Sequence, residues 1–270
     1  MGRIDMTMAL VGGGSMGGAI ARGVVSSGAL DASQVTVCEP SESARDALAA
    51  EGVACVAELA DLLARPADTL VLAVKPQVLP AVLRELVPLL PDGQLVVSIA
   101  AGVRLATLEA ALPTARVVRV MPNLPLQVLS GATAVCPGAR ATAHDAELVR
   151  SLFAALGSAQ VMTEAQLDVA GAVSGCGPAY FALFVDDLTR AGVRHGLPAA
   201  ACREMVLATM RGVAEQLLGS GEHPRAYMER VTSPGGTTAA ALEAMESPLS
   251  RAAGEAVEAA LRRTIELAEA

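Results

Sequence analysis

The stretch Met8-Ala9-Leu10-Val11-Gly12-Gly13-Gly14-Ser15-Met16-Gly17-Gly18-Ala19-Ile20-Ala21 decides the fold. A short apolar run stops at glycines, and a helical pattern begins at once. Gly12, Gly14 and Gly17 carry the G-x-G-x-x-G spacing of a dinucleotide-binding turn. The first glycine allows a tight turn, the second lets a pyrophosphate approach the backbone, and the third lets the helix pack close to the strand. The N–H groups of the helix start, around Ser15 and Met16, then face the phosphates with the helix dipole behind them. In a chain with 25 glycines the spacing alone also fits a flexible turn. Its place after a strand, at the head of alternating strands and helices, favours a nucleotide site.

Outward from this turn the alternation continues. A helix is predicted over residues 15–27, ending at Gly28, and a strand over 34–38. A helix from Ser43, an N-capping residue type, runs to 51 and stops at Gly52. Strands follow at 54–56 and 69–74, the latter a continuous apolar run of the kind covered on both faces of a parallel sheet. A helix over 78–90 holds Pro80 in its first turn. Strands at 95–99 and 116–121 bracket a helix at 105–112, and strands at 133–135 and 160–162 flank a helix at 145–156. Such a chain is α/β, with an N-terminal doubly wound, Rossmann-type parallel sheet. From Glu164 the strand signal ends, and residues 167–191, 199–218, 224–231, 238–245 and 250–270 read as helix. A domain boundary is therefore placed there, giving domains 1–163 and 164–270. The helical part is rich in Ala and Gly and short of bulky residues, so it is predicted to pack against a second copy of itself. An ordinary monomeric helical domain is the alternative.

Composition narrows the function. The 270 residues are 53% apolar but only 2% aromatic, so the core must be Ala, Leu and Val. A net charge of −8 and a pI near 5.0 argue against nucleic acid or an anionic membrane as a partner. The five cysteines form no C-x-x-C pair and read as reduced core residues of a cytoplasmic protein. Arg3 and Asp5 run straight into the glycine turn, unlike a signal peptide. The uncharged run 120–139 is broken by prolines. The run 169–185, interrupted by Gly175, Gly177 and Pro178, reads as a buried or subunit-facing helix rather than a span. No metal-ligating cluster is legible, and His144, His195 and His223 assemble no catalytic set.

Four further stretches bear on chemistry. Val74-Lys75-Pro76 ends a predicted strand, where open α/β sheets bind ligands. Lys75 is the only lysine in the chain. Met121-Pro122-Asn123 ends another strand, with Asn123 offering both a donor and an acceptor. Ser174-Gly175-Cys176-Gly177-Pro178 reads as a helix junction, Pro178 suiting a first turn. Thr232-Ser233-Pro234-Gly235-Gly236-Thr237-Thr238 has the build of an anion site for a small carboxylate or a phosphate, with exposed N–H groups and two threonines at a helix start.

These stretches, in this order, resemble pyrroline-5-carboxylate reductases. Residues 231–238 look like that family's signature, and 73–77, 121–123 and 177–180 match its other recurring stretches. The chain departs from the pattern at Cys176, where the family usually has Ser, and at Leu124, where it usually has Thr. The resemblance implies reduction of the C=N bond of 1-pyrroline-5-carboxylate to L-proline by NADPH or NADH. An imine is readily protonated, so orientation and electrostatics suffice without histidine. It further implies that Ser233, Gly235, Gly236, Thr237 and Thr238 bind the substrate, and that the Thr238 hydroxyl bonds the imine nitrogen. Lys75 joins Thr238 as a catalytic candidate. The cofactor residues would be Gly12, Gly14, Ser15, Met16, Gly17, Glu39, Ser41, Val74, Lys75, Pro76 and Asn123. Glu39 would pair with a ribose 2′-hydroxyl, whereas Ser41, Ser43 and Arg45 would receive a 2′-phosphate. A homodimer is the expected minimum unit, with the site between the domains and a larger ring, such as a decamer, built from dimers. Two other readings stay open: a hydroxy-acid dehydrogenase of two domains, disfavoured because no lysine follows Lys75, and a non-catalytic nucleotide-sensing module.

Overall fold

A computed structural model describes residues 2–269 of the chain. It holds two compact units. The first runs to Cys176 and regains the chain from Ala260; the second is Gly177–Ala259. The boundary expected at 163/164 lies one helix before this division.

The first unit is built on an eight-stranded sheet of order β3-β2-β1-β4-β5-β6-β7-β8. The strands are β1 (Met8–Val11), β2 (Val35–Cys38), β3 (Ala54–Val56), β4 (Thr69–Leu72), β5 (Leu95–Ser98), β6 (Arg116–Met121), β7 (Gly131–Pro137) and β8 (Gly157–Val161). Helices α1 (Ser15–Ser26), α2 (Glu42–Ala49), α3 (Leu59–Leu63), α4 (Leu79–Leu86), α5 (Leu105–Ala111), α6 (Ala143–Ala154) and α7 (Glu164–Ala170) cover it. Apolar residues alternate between the faces. Met8, Leu10 and Val71 enter one core layer with Ile20, Leu48 and Phe153, from α1, α2 and α6. Ala9, Val11, Leu70 and Leu72 enter the other with Leu62, Leu83, Leu108 and Leu167, from α3, α4, α5 and α7. Burial on both sides is why β1 and β4 read as unbroken apolar runs.

The sheet is parallel except between β6 and β7, which pair antiparallel, Val120 opposite Val135. The segment from Met121 to Gly131 holds only the 3₁₀ turn Leu124–Val128. That is too short for the crossover a parallel pair requires, so the chain returns as a hairpin. α3 has no counterpart in the sequence pattern; at five residues it shows too little periodicity to stand out.

α6 is anchored by a capping box. Thr142 Oγ1 accepts from Asp145 N at 3.1 Å, and Asp145 Oδ2 accepts from Thr142 N at 2.8 Å. The Asp145 side chain, 2% exposed, also pairs with Arg116. Burial alone would raise this carboxyl, but the bonds from Thr142 and the Arg116 charge hold it below its usual value. A lowered carboxyl stabilises the fold above about pH 4, and that contribution is lost as pH falls through the folded-state value. Asp145→Asn should therefore lower stability by about 1–2 kcal/mol at neutral pH. In thermal unfolding the gap to the parent should close toward pH 3; a constant gap would trace the effect to packing.

The second unit is helical: α8 (Gly177–Arg194), α9 (Ala199–Ser220), α10 (Pro224–Arg230) and the first part of α11 (Thr237–Glu269), whose last turns belong to the first unit. α11 runs as one helix through Pro248, where the sequence pattern predicts two. A single exposed proline removes one ladder bond, and the flanking turns carry the helix across it. Among the described residues of this unit only Gly177, Thr189 and Cys202 are buried. Phe181, Leu183 and Met205 are each more than 60% exposed. Helices with so little closed core and so much apolar surface require a covering partner. All five cysteines are free thiols, but Cys176 is exposed, so the core placement expected of all five fails there.

Candidate functional site

Within the first unit the glycine turn forms at the carboxyl end of β1. Gly12 adopts φ +99°, and a Cβ there would stand 2.8 Å from the Ala73 carbonyl oxygen. A Cβ at Gly17 would run into the Gly12 carbonyl oxygen. Beside Gly14 nothing lies within 4 Å of the Cβ position. Two glycines are thus demanded by the protein's own backbone, while the middle one faces open space. Gly14 caps α1 without a side-chain bond, and the first turn carries no acid. The N–H groups there, including those of Ser15 and Met16, have no intrahelical acceptor and suit an anion.

Glu39, just past β2, turns toward this loop. Its Oε2 accepts from Gly13 N at 2.8 Å and its Oε1 from Ser41 N at 2.9 Å. Arg45 Nη1 donates to the Glu39 and Pro40 carbonyls at 2.8 and 2.7 Å, and the Ser41 and Ser43 hydroxyls lie 3.1 Å apart. Glu39 is therefore a latch on the glycine turn, a contact spanning 26 residues that no local pattern announces. At its neighbour Cys38, burial first, then the Glu58 and Glu39 charges, push the thiol up to about 11, which disfavours the thiolate.

Ala73 N donates to Val11 O at 2.8 Å, which aligns the 73–76 turn with the glycine turn. Val74 Cγ1 lies 3.0 Å from the Cβ position of Gly12. The Lys75 carbonyl accepts from Val78 N and Leu79 N, starting α4, while its side chain is exposed. Val74 and Pro76 are half-buried beside it.

Asn123 is 8% exposed. Its Nδ2 donates to Ser174 O at 2.9 Å and its Oδ1 accepts from Ala132 N at 2.8 Å. Both ends of the Asn123 amide are thereby engaged within the unit. Sequence reasoning also missed Arg119, whose guanidinium is 4% exposed and bonds Glu164 and Asp168 at 2.8 Å each. The i, i+4 spacing of those two acids was the available signal.

In the second unit the Ser233 loop reaches α11 through Gly235 at φ +67°. Gly236 N donates to Ser233 O at 3.0 Å, and a Cβ at Gly236 would strike Ser233 Oγ. The Gly236 N–H is thus committed to the turn. The N–H groups of Thr237, Thr238 and Ala239 open the helix without intrahelical acceptors, and no acid occupies its first turn. Thr237 is exposed and Thr238 half-buried.

Residues 164–267 match a family model described as pyrroline-5-carboxylate reductase dimerisation, and residues 7–102 match one described as NADP oxidoreductase coenzyme F420-dependent. The chain is 39% identical over 265 residues to a pyrroline-5-carboxylate reductase of Pseudomonas aeruginosa, covering 97% of each. A solved pyrroline-5-carboxylate reductase structure from Coxiella burnetii aligns with TM-score 0.92 at 32% identity, covering 98% of this chain and 99% of that one. A Plasmodium falciparum pyrroline carboxylate reductase solved with NADP bound aligns with TM-score 0.86 at 29% identity, covering 99% of this chain and all of the other. Spanning nearly its whole length at this identity, the chain belongs to the pyrroline-5-carboxylate reductase family.

Proposed function

We propose that this protein reduces the C=N bond of 1-pyrroline-5-carboxylate to L-proline, the last step of proline biosynthesis. The observation that carries the reading is the acid-free start of α11 behind the Ser233 turn, in a chain whose other unit presents an open glycine turn. NADPH or NADH, when bound, supplies the hydride that reduces the imine carbon. Gly12, Gly14, Ser15, Met16 and Gly17 hold its pyrophosphate, and Val74, Lys75 and Pro76 flank it. Ser41, with Ser43 and Arg45, meets the adenosine end. Glu39 meets the adenosine ribose while bracing the glycine turn, and Asn123 stands at the cofactor edge with its amide bracing the loop there. The turn from Ser233 through Gly235 and Gly236 aims the N–H groups of Thr237 and Thr238 at the substrate carboxylate. The Thr238 hydroxyl donates to the imine nitrogen, and Lys75 adds positive charge at the cleft.

Addition of pyrroline-5-carboxylate should drive oxidation of NADPH or NADH by the purified protein. Thr238→Ala should lower kcat by about 100-fold with an unchanged thermal midpoint, as for loss of one preorganised donor. Parent rates in that variant would remove Thr238 from the mechanism, and cofactor binding without turnover in the parent would favour a nucleotide-sensing module instead.

The functional division is proposed at 163/164, where the dimerisation match begins. The working unit is proposed as a homodimer, assembled further into a ring such as a decamer, in the cytoplasm. By length and composition alone, the continuous run Glu164–Arg194 would suit a membrane span. We read it as an interface helix, because the paired acids Glu164 and Asp168 stand at its foot. Nucleic acid and membrane are not expected partners of a chain with net charge −8.

A further inference from the structure

Two stretches that stood apart in the sequence meet in the first unit. α7 ends at Ala170, and Gly171–Gly175 form a π turn in which Cys176 N donates to Gly171 O at 3.0 Å. Such turns widen a helix by one residue and displace its carbonyls from their ordinary partners. The carbonyl of Ser174 has a second difficulty. Its ordinary helical donor is the N–H four residues on, and that residue is Pro178, which has none. A carbonyl left in this way must find another donor.

Asn123 supplies it. Its Nδ2 lies 2.9 Å from Ser174 O, while its Oδ1 accepts from Ala132 N at the start of β7. The neighbouring Met121 completes the dock: a Cβ at Gly175 would stand 2.9 Å from Met121 Cε, and one at Gly171 would stand 3.5 Å away. The two glycines of the π turn are therefore the space that Met121 occupies. A planar amide with one donating and one accepting end, almost wholly buried, suits both demands at once. Asp would lose the donor, and Ser would not span the two groups.

We infer that Asn123 is a positioning residue whose amide stands in for the N–H missing at Pro178, tying the π turn to the loop that follows β6. That loop lies at the carboxyl edge of the parallel strands, where open α/β sheets hold their ligands. The amide fixes the shape of the edge without touching the reacting groups. The link to turnover rests on the reductase function proposed above.

The test is a cycle on the full-length protein with Asn123→Ala, Pro178→Ala and the double variant, read by amide hydrogen exchange and by steady-state kinetics. Asn123→Ala should lose about tenfold protection at the Ala132 and Cys176 amides. It should lower kcat by about tenfold with a smaller change in cofactor KM. Pro178→Ala alone should stay close to the parent. In the double variant the new N–H at position 178 serves Ser174 O, so protection at Cys176 and most of kcat return, while Ala132 remains unprotected. Asn123→Asp keeps the Ala132 acceptor but sets a carboxylate oxygen against Ser174 O, so it should lose protection at Cys176 at least as far as Asn123→Ala while Ala132 stays protected. Additive effects of the two substitutions, or parent-like exchange in both Asn123 variants, would overturn the inference. Amide exchange needs no turnover, so failure of the amide bridge and failure of the reductase activity are told apart.

Discussion

Gly14→Ala is expected to cost the fold no more than about 1 kcal/mol, as for an alanine N-cap, and to weaken NADPH and NADH binding by about 100-fold. The reason is the empty space at its Cβ position, where nothing lies within 4 Å. A methyl group there meets no protein atom, yet on the cofactor placement proposed above it stands where the pyrophosphate approaches the backbone. Gly17→Ala should behave in the opposite way. Its methyl group meets the Gly12 carbonyl oxygen, with Leu10 Cδ2 only 3.0 Å away, so α1 must lift from β1. That variant should lose about 3 kcal/mol or more of stability, at or beyond the upper end of ordinary overpacking, because the clash is with backbone. Cofactor titration and thermal unfolding of the two variants side by side separate ligand space from packing space. Parent-like binding by Gly14→Ala would place the pyrophosphate elsewhere and remove the glycine turn from the cofactor site.

The same contrast explains what could be read from the chain without coordinates. The glycine turn was legible because it is a local device: strand, turn and helix follow within a few residues, and each glycine answers a neighbour or a ligand. β3 and β6 were read to the residue for the same reason, since apolar runs bounded by turn residues carry their own ends. The antiparallel return of β7 was not legible, because strand direction depends on whether the connection can cross the sheet, and nothing in residues 131–137 records that. Glu39 and Asn123 stand out in the sequence as polar residues at strand ends, which points to the ligand. In the structure their side chains bond Gly13, Ser41, Ala132 and Ser174, partners up to 51 residues away. Which loops such a side chain braces is set by its tertiary partner, and no local pattern records it. In the helical unit, small residues with few bulky ones led to the expectation of packing against a second copy, which the dimerisation match of residues 164–267 supports. Phe181, Leu183 and Met205 are exposed there.

Arg119 is the other residue whose loss should be costly. It sits in β6 at 4% side-chain exposure, facing the layer that holds Leu108 and Leu167, and its two terminal nitrogens bond Glu164 Oε1 and Asp168 Oδ1. Glu164 Oε1 also accepts from Leu105 N at 2.6 Å, at the first turn of α5. One guanidinium therefore ties β6 to α7 and, through Glu164, to α5. Truncating a buried partner leaves the remaining charges uncompensated, at about 3–5 kcal/mol for a fully buried pair. Here the acids are 32% and 27% exposed, so water relieves part of that cost and Arg119→Ala should lose about 2–3 kcal/mol. Arg119→Met restores volume but leaves both carboxylates, so it should recover only the packing share. Adding Asp168→Asn to Arg119→Met should recover most of the remainder, because one stranded charge is removed while Glu164 keeps its bond from Leu105. Urea unfolding of the three proteins orders these contributions. If Arg119→Met alone matched the parent, the pair would act as filler rather than as a charge network, and α7 would be held to the sheet by Leu167 and its apolar neighbours.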